Sequence, residues 1–168
     1  FIKFIFKASS LFNYKLYNVK HLTVKEINVF NKEVDSVWEN SKRFNLFTAL
    51  RNCEYLKTLY SDKRFIKLLF TQNNKIVGWS VSLNTKLDKH NYFGDMKLGS
   101  IVDCLSLEGY ETSIVNLTSK MLKNRGVDLI VSNQSHIFWK KAFKMNSFIN
   151  GPSNYIFASS KTLSDKLI

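Results

Sequence analysis

Hydrophobic and polar positions follow one another along this chain in a pattern that predicts strands and helices in turn. The stretch 22–30 has the apolar spacing of a strand, and helices are expected over 31–42 and 48–60. Asn31 is a suitable N-cap for the first of these helices. Its buried stripe follows the spacing i, i+3, i+4 of one helix face, at Val34, Val37 and Trp38.

The middle of the chain carries the clearest local signal, an antiparallel hairpin. Two strand-like runs, RFIKLLF and KIVGWSVSL, are separated by the turn residues TQNN. The apolar run 97–105 predicts a further strand that is buried on both faces. The remaining elements are expected to be a helix over 111–124 ended by Gly126, a strand over 128–132, a helix over 135–146 and a strand over 154–159.

This order of elements predicts an α/β domain with a mixed sheet, because an antiparallel hairpin precedes a strand–helix–strand crossover. Doubly wound nucleotide-binding folds are disfavoured, since the chain lacks the glycine-rich turns GxGxxG and GxxxxGK. The 168 residues, of which 45% are hydrophobic, suffice for one domain with its own core.

The net charge of +12 has two explanations. Lys, Asn, Ile, Phe and Tyr are abundant and share A/T-rich codons, so genomic bias accounts for it as well as an anionic partner does. Only four of the 25 basic residues are Arg and no nucleic-acid-binding module is visible, so nucleic acid is not expected as the partner. No apolar run approaches the roughly 18 residues that span a membrane.

Cysteine and histidine usage argues against a metal or disulfide framework. The two cysteines, Cys53 and Cys104, and the three histidines do not fall at metal-ligand spacings. We therefore expect no metal site, and a reducing, cytoplasmic location is the default expectation.

The order of elements and several segments resemble the GNAT superfamily of N-acetyltransferases, over roughly 22–161. KIVGWSVSL resembles the third strand of that family, GSIVDCLSL the fourth and GVDLIVSN the fifth. FWKKAFKMNSF resembles the end of its last helix, with Ser147 and Phe148 where the family has Gly-Phe. VDSVWENSKRF and RNCEYLKTLY resemble the second, C-terminal GNAT-like half of two-domain bacterial acetyltransferases.

The resemblance implies a GNAT-like mixed central sheet of about six or seven strands, flanked by helices and splayed between strands four and five. It further implies that 22–168 form the GNAT-like domain and that 1–21 are a lead-in, the end of a preceding segment. That segment would be an N-terminal acetyltransferase half of the full-length chain.

In this family acetyl-CoA, or another acyl-CoA, lies in the splay, with its pyrophosphate on the helix start after strand four. The residues that the resemblance places at the cofactor are Leu105, Leu107, Gly109, Asn133 and His136. The pyrophosphate loop departs from the family pattern, because Glu111 replaces a Gly or Ala and the flanking Arg or Gln is missing. Asn133 and His136 have a structural alternative, as a helix cap and a polar residue at a helix start.

The resemblance also implies a direct attack of an amine on the thioester, with Asp103 on strand four as the general base. The family's tyrosine acid corresponds to Phe143, which cannot donate a proton, so Tyr155 or Tyr110 would have to substitute, and Tyr155 is taken as the candidate acid. The alternative for Asp103 is a strand-end carboxylate bonded to the backbone. The expected function is acetyl transfer to a small-molecule amine or amino sugar. The alternative is a catalytically silent half that packs on an active one and shapes its acceptor site.

Overall fold

A five-stranded mixed sheet forms the centre of the computed structural model, which describes residues 20–41, 49–91, 93–134 and 136–151. The strands lie in sequence order across the sheet: β1 (Thr23–Ile27), β2 (Ile66–Gln72), β3 (Lys75–His90), β4 (Gly94–Ser106) and β5 (Leu129–Ser132). Neighbouring strands are antiparallel except β4 and β5, which are parallel. The predicted mixed sheet is confirmed, and the strand expected over 154–159 lies outside the described residues.

In the described ranges, four helices flank the sheet: α1 (Asp35–Ser41), α2 (Cys53–Leu59), α3 (Glu111–Asn124) and α4 (Ile137–Met145). A short 3-10 turn, Lys32–Val34, precedes α1 and is capped by the side chain of Asn31, as expected. The carboxylate of Asp35 accepts a hydrogen bond from the Cys53 amide at 2.6 Å. The start of α1 therefore fixes the start of α2.

Each face of the sheet has its own hydrophobic core. The core on the face of α1 and α2 contains Phe30, Val34, Val37, Trp38, Cys53, Leu56, Tyr60, Leu69, Trp79, Val81 and Leu105. The core on the face of α3 and α4 contains Ile66, Leu68, Phe70, Val77, Ile101, Cys104, Ile114, Val115, Leu122, Trp139, Ala142 and Phe143. The predicted stripe of the first helix is thus confirmed, whereas Val102 of β4 is exposed and the expectation of a strand buried on both faces is wrong there.

Two turns follow directly from the sequence. Asn73 and Asn74, with φ of 49° and 61°, connect β2 to β3, because asparagine tolerates the left-handed region that a two-residue hairpin turn requires. Gly126, with φ of 76°, ends α3, and its amide donates to the Lys123 carbonyl at 2.9 Å. Gly126 is at its predicted position, but the hairpin turn is shorter than the predicted TQNN, because Thr71 and Gln72 are paired residues of β2.

Helix α4 ends in the same way, but on a serine. Ser147 has φ of 65°, and the amide of Phe148 donates to the Phe143 carbonyl at 3.1 Å. The rings of Phe143 and Phe148 meet edge to face, with centroids 4.8 Å apart. This is a C-terminal cap that favours glycine, which the GNAT pattern has at the position of Ser147.

We therefore expect Ser147→Gly to stabilise the protein. The left-handed conformation costs an L-residue about 1–2 kcal/mol, part of which the greater freedom of glycine in the unfolded chain offsets. The expected gain is about 0.5–1 kcal/mol in the free energy of unfolding, measured by urea denaturation. Ser36→Gly, an exposed substitution inside α1, is the control and should destabilise. Equal destabilisation by both variants would contradict the proposed cap.

Candidate functional site

Strand β5 is paired with β4 along all four of its residues, whereas β4 continues past the end of β5. Their register runs from Leu98 opposite Leu129 to Ile101 opposite Ser132, whereas β4 continues to Ser106. The hydroxyl of Ser132 donates to the Ile101 carbonyl at 2.9 Å and closes the ladder. Beyond this point β4 has no described strand beside it on that side, and the side chain of Gln134 donates to the Val102 carbonyl at 3.3 Å. We call the space beside residues 102–106 of β4, past the end of β5, the gap.

The side chain of Asp103 lies just past the end of that ladder and is 10% exposed. The Nε of Arg51 donates to its two carboxylate oxygens at 3.2 and 3.1 Å, and the hydroxyl of Tyr60 donates to Oδ2 at 2.9 Å. The Cys104 amide donates to Oδ1 at 2.9 Å. A buried carboxylate thus has a guanidinium, a phenol and an amide as partners, which matches its charge and satisfies its lone pairs.

A bulge in β4 explains which way Asp103 faces. Val81 is opposite Asp103, but the next residue of β3, Ser82, is opposite Ile101, so one residue of β4 is unpaired there. Tyr60 belongs to the core under α1 and α2, whereas Cys104 belongs to the opposite core. Asp103 and Cys104 therefore face opposite sides of the sheet, as expected. The carboxylate is directed at α1 and α2 rather than along the gap.

The environment of Tyr60 decides what its hydroxyl can do. Burial, and after it the negative charge of Asp103, raise the pKa of Tyr60 well above its usual value. The phenol therefore stays protonated and acts as a hydrogen-bond donor to Asp103. Burial likewise raises the pKa of the Cys104 thiol, so this cysteine is not a thiolate nucleophile.

The loop before α3 has some features that favour binding of a phosphate group and others that oppose it. Gly109 has φ of 79°, and the N-cap residue of α3, Tyr110, makes no side-chain capping bond. Glu108 is exposed beside them, while the Nζ of Lys20 lies 3.7 Å from the centre of the Tyr110 ring. The amide of Leu107 is already bonded to the Val77 carbonyl at 2.9 Å. A cation from the start of the described chain therefore accompanies Glu108 of the loop and Glu111, the first residue of α3.

The other predicted cofactor residues divide between core and surface. Leu105 is buried in the core under α1 and α2, so its side chain does not face the gap. Asn133 is exposed directly after β5, and His136 is half-buried at the start of α4, with its ring 5.3 Å from that of Phe138. His136 makes no side-chain capping bond. Tyr155, the expected acid, lies outside the described residues.

Sequence reasoning missed Arg51, Tyr60 and Lys20 as members of this site. A buried carboxylate predicts a basic partner, but with 25 basic residues in the chain the spacing alone could not select Arg51. Tyr60 was expected only as the last residue of the helix over 48–60. Pairing between these side chains depends on how α2 lies across β4, which is a tertiary feature.

The described residues contain neither a membrane-spanning helix nor a cluster of metal-ligating side chains. Within those ranges, no helix has the length and apolar content to cross a membrane. The same part of the chain has no group of three or more His, Cys, Asp or Glu side chains placed to hold a metal ion.

Several solved acetyltransferases have a similar fold. A ribosomal-protein-alanine N-acetyltransferase from Brucella melitensis biovar Abortus matches with a TM-score of 0.62 and 11% identity, over 83% of this chain and 100% of that one. A GNAT family acetyltransferase from Staphylococcus aureus matches with 0.55 and 14%, over 83% and 100%. An aminoglycoside N-acetyltransferase solved in complex with CoA matches with 0.52 and 11%, over 83% and 99%.

No protein-family model matches the sequence, and no curated protein matches it either. At these low identities the structural likeness establishes the architecture. The chain has the α/β fold of the GNAT acetyltransferases.

Proposed function

We propose that this protein is a GNAT-type acyltransferase that transfers an acetyl or other acyl group from acyl-CoA to a small-molecule amine. The position of Asp103 carries the proposal. Its carboxylate belongs to the part of β4 that extends past the end of β5, and it faces the α1–α2 side of the sheet. An acyl donor in the gap and an acceptor amine on that side would meet next to Asp103.

The surroundings of the gap fit a pantetheine chain with phosphates. Val102, Ile137 and Phe138 are exposed apolar residues of β4 and of the start of α4. N-cap side chains bond to the 3-10 turn before α1 and to the start of α2, whereas the N-cap residues of α3 and α4, Tyr110 and His136, make no side-chain capping bond. A helix start without an N-cap side-chain bond favours an anion. The negative charge of Glu108 would repel an anion bound before α3, and the positive charge of Lys20 offsets part of this repulsion.

Bound acyl-CoA would supply the thioester that the acceptor amine attacks. Asp103 takes a proton from the acceptor ammonium, which frees the lone pair of the amine. The Asp103 carboxylate is paired with the Arg51 guanidinium. The ammonium group of the acceptor therefore has to replace this guanidinium beside Asp103, and it carries the same charge. Tyr60 holds Asp103 in position and is a poor acid for a departing thiolate, since its pKa is raised. Tyr155 remains the proposed proton donor.

The structural neighbours support an enzyme over a catalytically silent half. They are named acetyltransferases and are matched over nearly their whole length. The name of one of them, an aminoglycoside acetyltransferase, supports a small-molecule amine as the acceptor class. A preceding acetyltransferase half and a cytoplasmic location also remain proposals, drawn from the resemblance and from cysteine usage.

Titration with acetyl-CoA by calorimetry tests the proposed function, and two matched variants locate the binding. We expect a micromolar dissociation constant for the wild type. Val102→Asp, at the gap, should weaken binding by about tenfold or more because it adds a charge beside an anionic ligand. Val24→Asp in β1 is the control, since the exposed fractions of the two valines, 39% and 38%, are nearly equal. Absence of binding heat, or equal weakening by both variants, would contradict the proposal.

A further inference from the structure

Strand β2 carries a lysine inside the protein. Lys67 is 4% exposed, and its side chain lies on the α1–α2 side of the sheet, in register with Val81 on β3. Val81 is in turn opposite Asp103 on β4. Lys67 and Asp103 therefore lie in one row across the sheet, on either side of Val81, and Arg51 already matches the charge of Asp103.

The ammonium of Lys67 is poorly satisfied by the protein. In the ranges that the structure describes, its Nζ makes one hydrogen bond, to the Asp62 carbonyl at 3.5 Å. That distance is at the outer limit for a hydrogen bond, and an ammonium has three donors. The Asp62 carboxylate is held by Arg64, at 2.9 and 2.7 Å. Two donors of a buried cation are thus left without a described protein acceptor.

A cavity is lined in part by Lys67. It has a volume of about 40 Å³, and its lining includes the buried Lys67, Tyr60 and Leu56 together with the exposed Lys57 and Asn28. None of the described residues that line it has a carboxylate. Because roughly 10–15 Å³ is enough for one water molecule, the cavity has room for about three atoms of that size. That is the size of a carboxylate group.

We propose that this cavity is a binding site for a carboxylate group, held by the ammonium of Lys67 with Lys57 at its exposed side. Two cations without a lining carboxylate favour an anion over a neutral guest. A planar group of three heavy atoms can accept from both remaining donors of Lys67. The site rests on its own geometry and not on the proposed acyl transfer, although Tyr60 is common to the cavity and to Asp103.

Sodium formate is the probe, added to the ¹⁵N-labelled protein with sodium chloride lowered to keep the ionic strength constant. We expect saturable shifts of the backbone amides of Phe30, Lys57 and Tyr60, with a millimolar dissociation constant. Lys67→Met should abolish saturation, and Lys57→Met should weaken binding several-fold. Lys63→Met is the control, because Lys63 is an exposed lysine between α2 and β2 that does not line the cavity. This variant should bind formate as the wild type does.

Three results would overturn the proposal. These are unsaturable shifts in the wild type, as expected for a cavity that holds only water; equal shifts when chloride replaces formate; and unchanged binding in Lys67→Met. If Lys67→Met does not fold, the formate titrations of the wild type and of Lys57→Met still test the proposal. A second titration, with glycine in place of formate, distinguishes whether the bound carboxylate belongs to a larger ligand or to a free small acid. Tighter binding of glycine than of formate indicates the larger ligand. Equal or weaker binding of glycine indicates the free small acid. Each outcome of this comparison supports a carboxylate site.

Discussion

Asp103→Asn should lower the rate of acyl transfer by roughly 100-fold or more, the scale on which positioned general bases contribute. The amide keeps the shape of the carboxylate and can still accept from Tyr60 and Arg51, but it cannot take a proton from the acceptor. The loss should therefore fall on turnover, with the affinity for acetyl-CoA nearly unchanged. Steady-state kinetics with an amine acceptor, together with calorimetry, measures both quantities.

This substitution also removes the counter-charge of Arg51, so folding has to be monitored separately. Circular dichroism and a melting curve establish whether the variant is folded at the assay temperature. Asp88→Asn, on the exposed part of β3, is the matched control and should keep the full rate. A folded Asp103→Asn variant with the wild-type rate would exclude Asp103 as the base.

The largest effect on stability is expected at Gly78. A Cβ at this position would lie 2.4 Å from the Cδ1 of Ile114 and 2.6 Å from the carbonyl oxygen of Leu105. The backbone of β3 is thus in close contact with α3 and β4, and only glycine fits. Gly78→Ala should lower the free energy of unfolding by about 1–3 kcal/mol, as overpacking of a core does, and the melting temperature by about 2–4 °C per kcal/mol.

Gly151→Ala is the control for this change, since a Cβ there meets no atom within 4 Å. Adding Ile114→Val to Gly78→Ala should recover part of the loss, because it removes the Cδ1 methyl group but leaves the Leu105 carbonyl in place. Equal stability of Gly78→Ala and the wild type would show that the contact of α3 with β3 is looser than described.

Local sequence signals predicted most of the described elements. Helix α3 has the expected bounds because its apolar stripe runs to Leu122 and Gly126 then provides the left-handed residue of the cap. The turn at Asn73 and Asn74 was predictable because two adjacent asparagines tolerate the left-handed region. Both signals depend only on residues that are close together in the chain.

The candidate site was only partly predictable, because its partners are distant in sequence. Asp103 could be recognised as a carboxylate within an apolar strand, but Arg51 is 52 residues away and Tyr60 is 43 away. Lys20 reaches the loop before α3 from a segment that was expected to be a lead-in. The bulge opposite Val81 shifts the side chains of β4 by one position, and it cannot be recognised from alternation alone.

Amide hydrogen exchange with and without acetyl-CoA is the most direct test of acyl-CoA binding between β4 and β5, beside Asp103. We predict that saturating acetyl-CoA slows exchange about tenfold or more in peptides that cover 102–112 and 132–140, the two sides of the gap. Peptides that cover β1 and β2, on the opposite edge of the sheet, should be unchanged. Protection confined to β1 and β2, or no protection at saturating acetyl-CoA, would contradict binding in the gap.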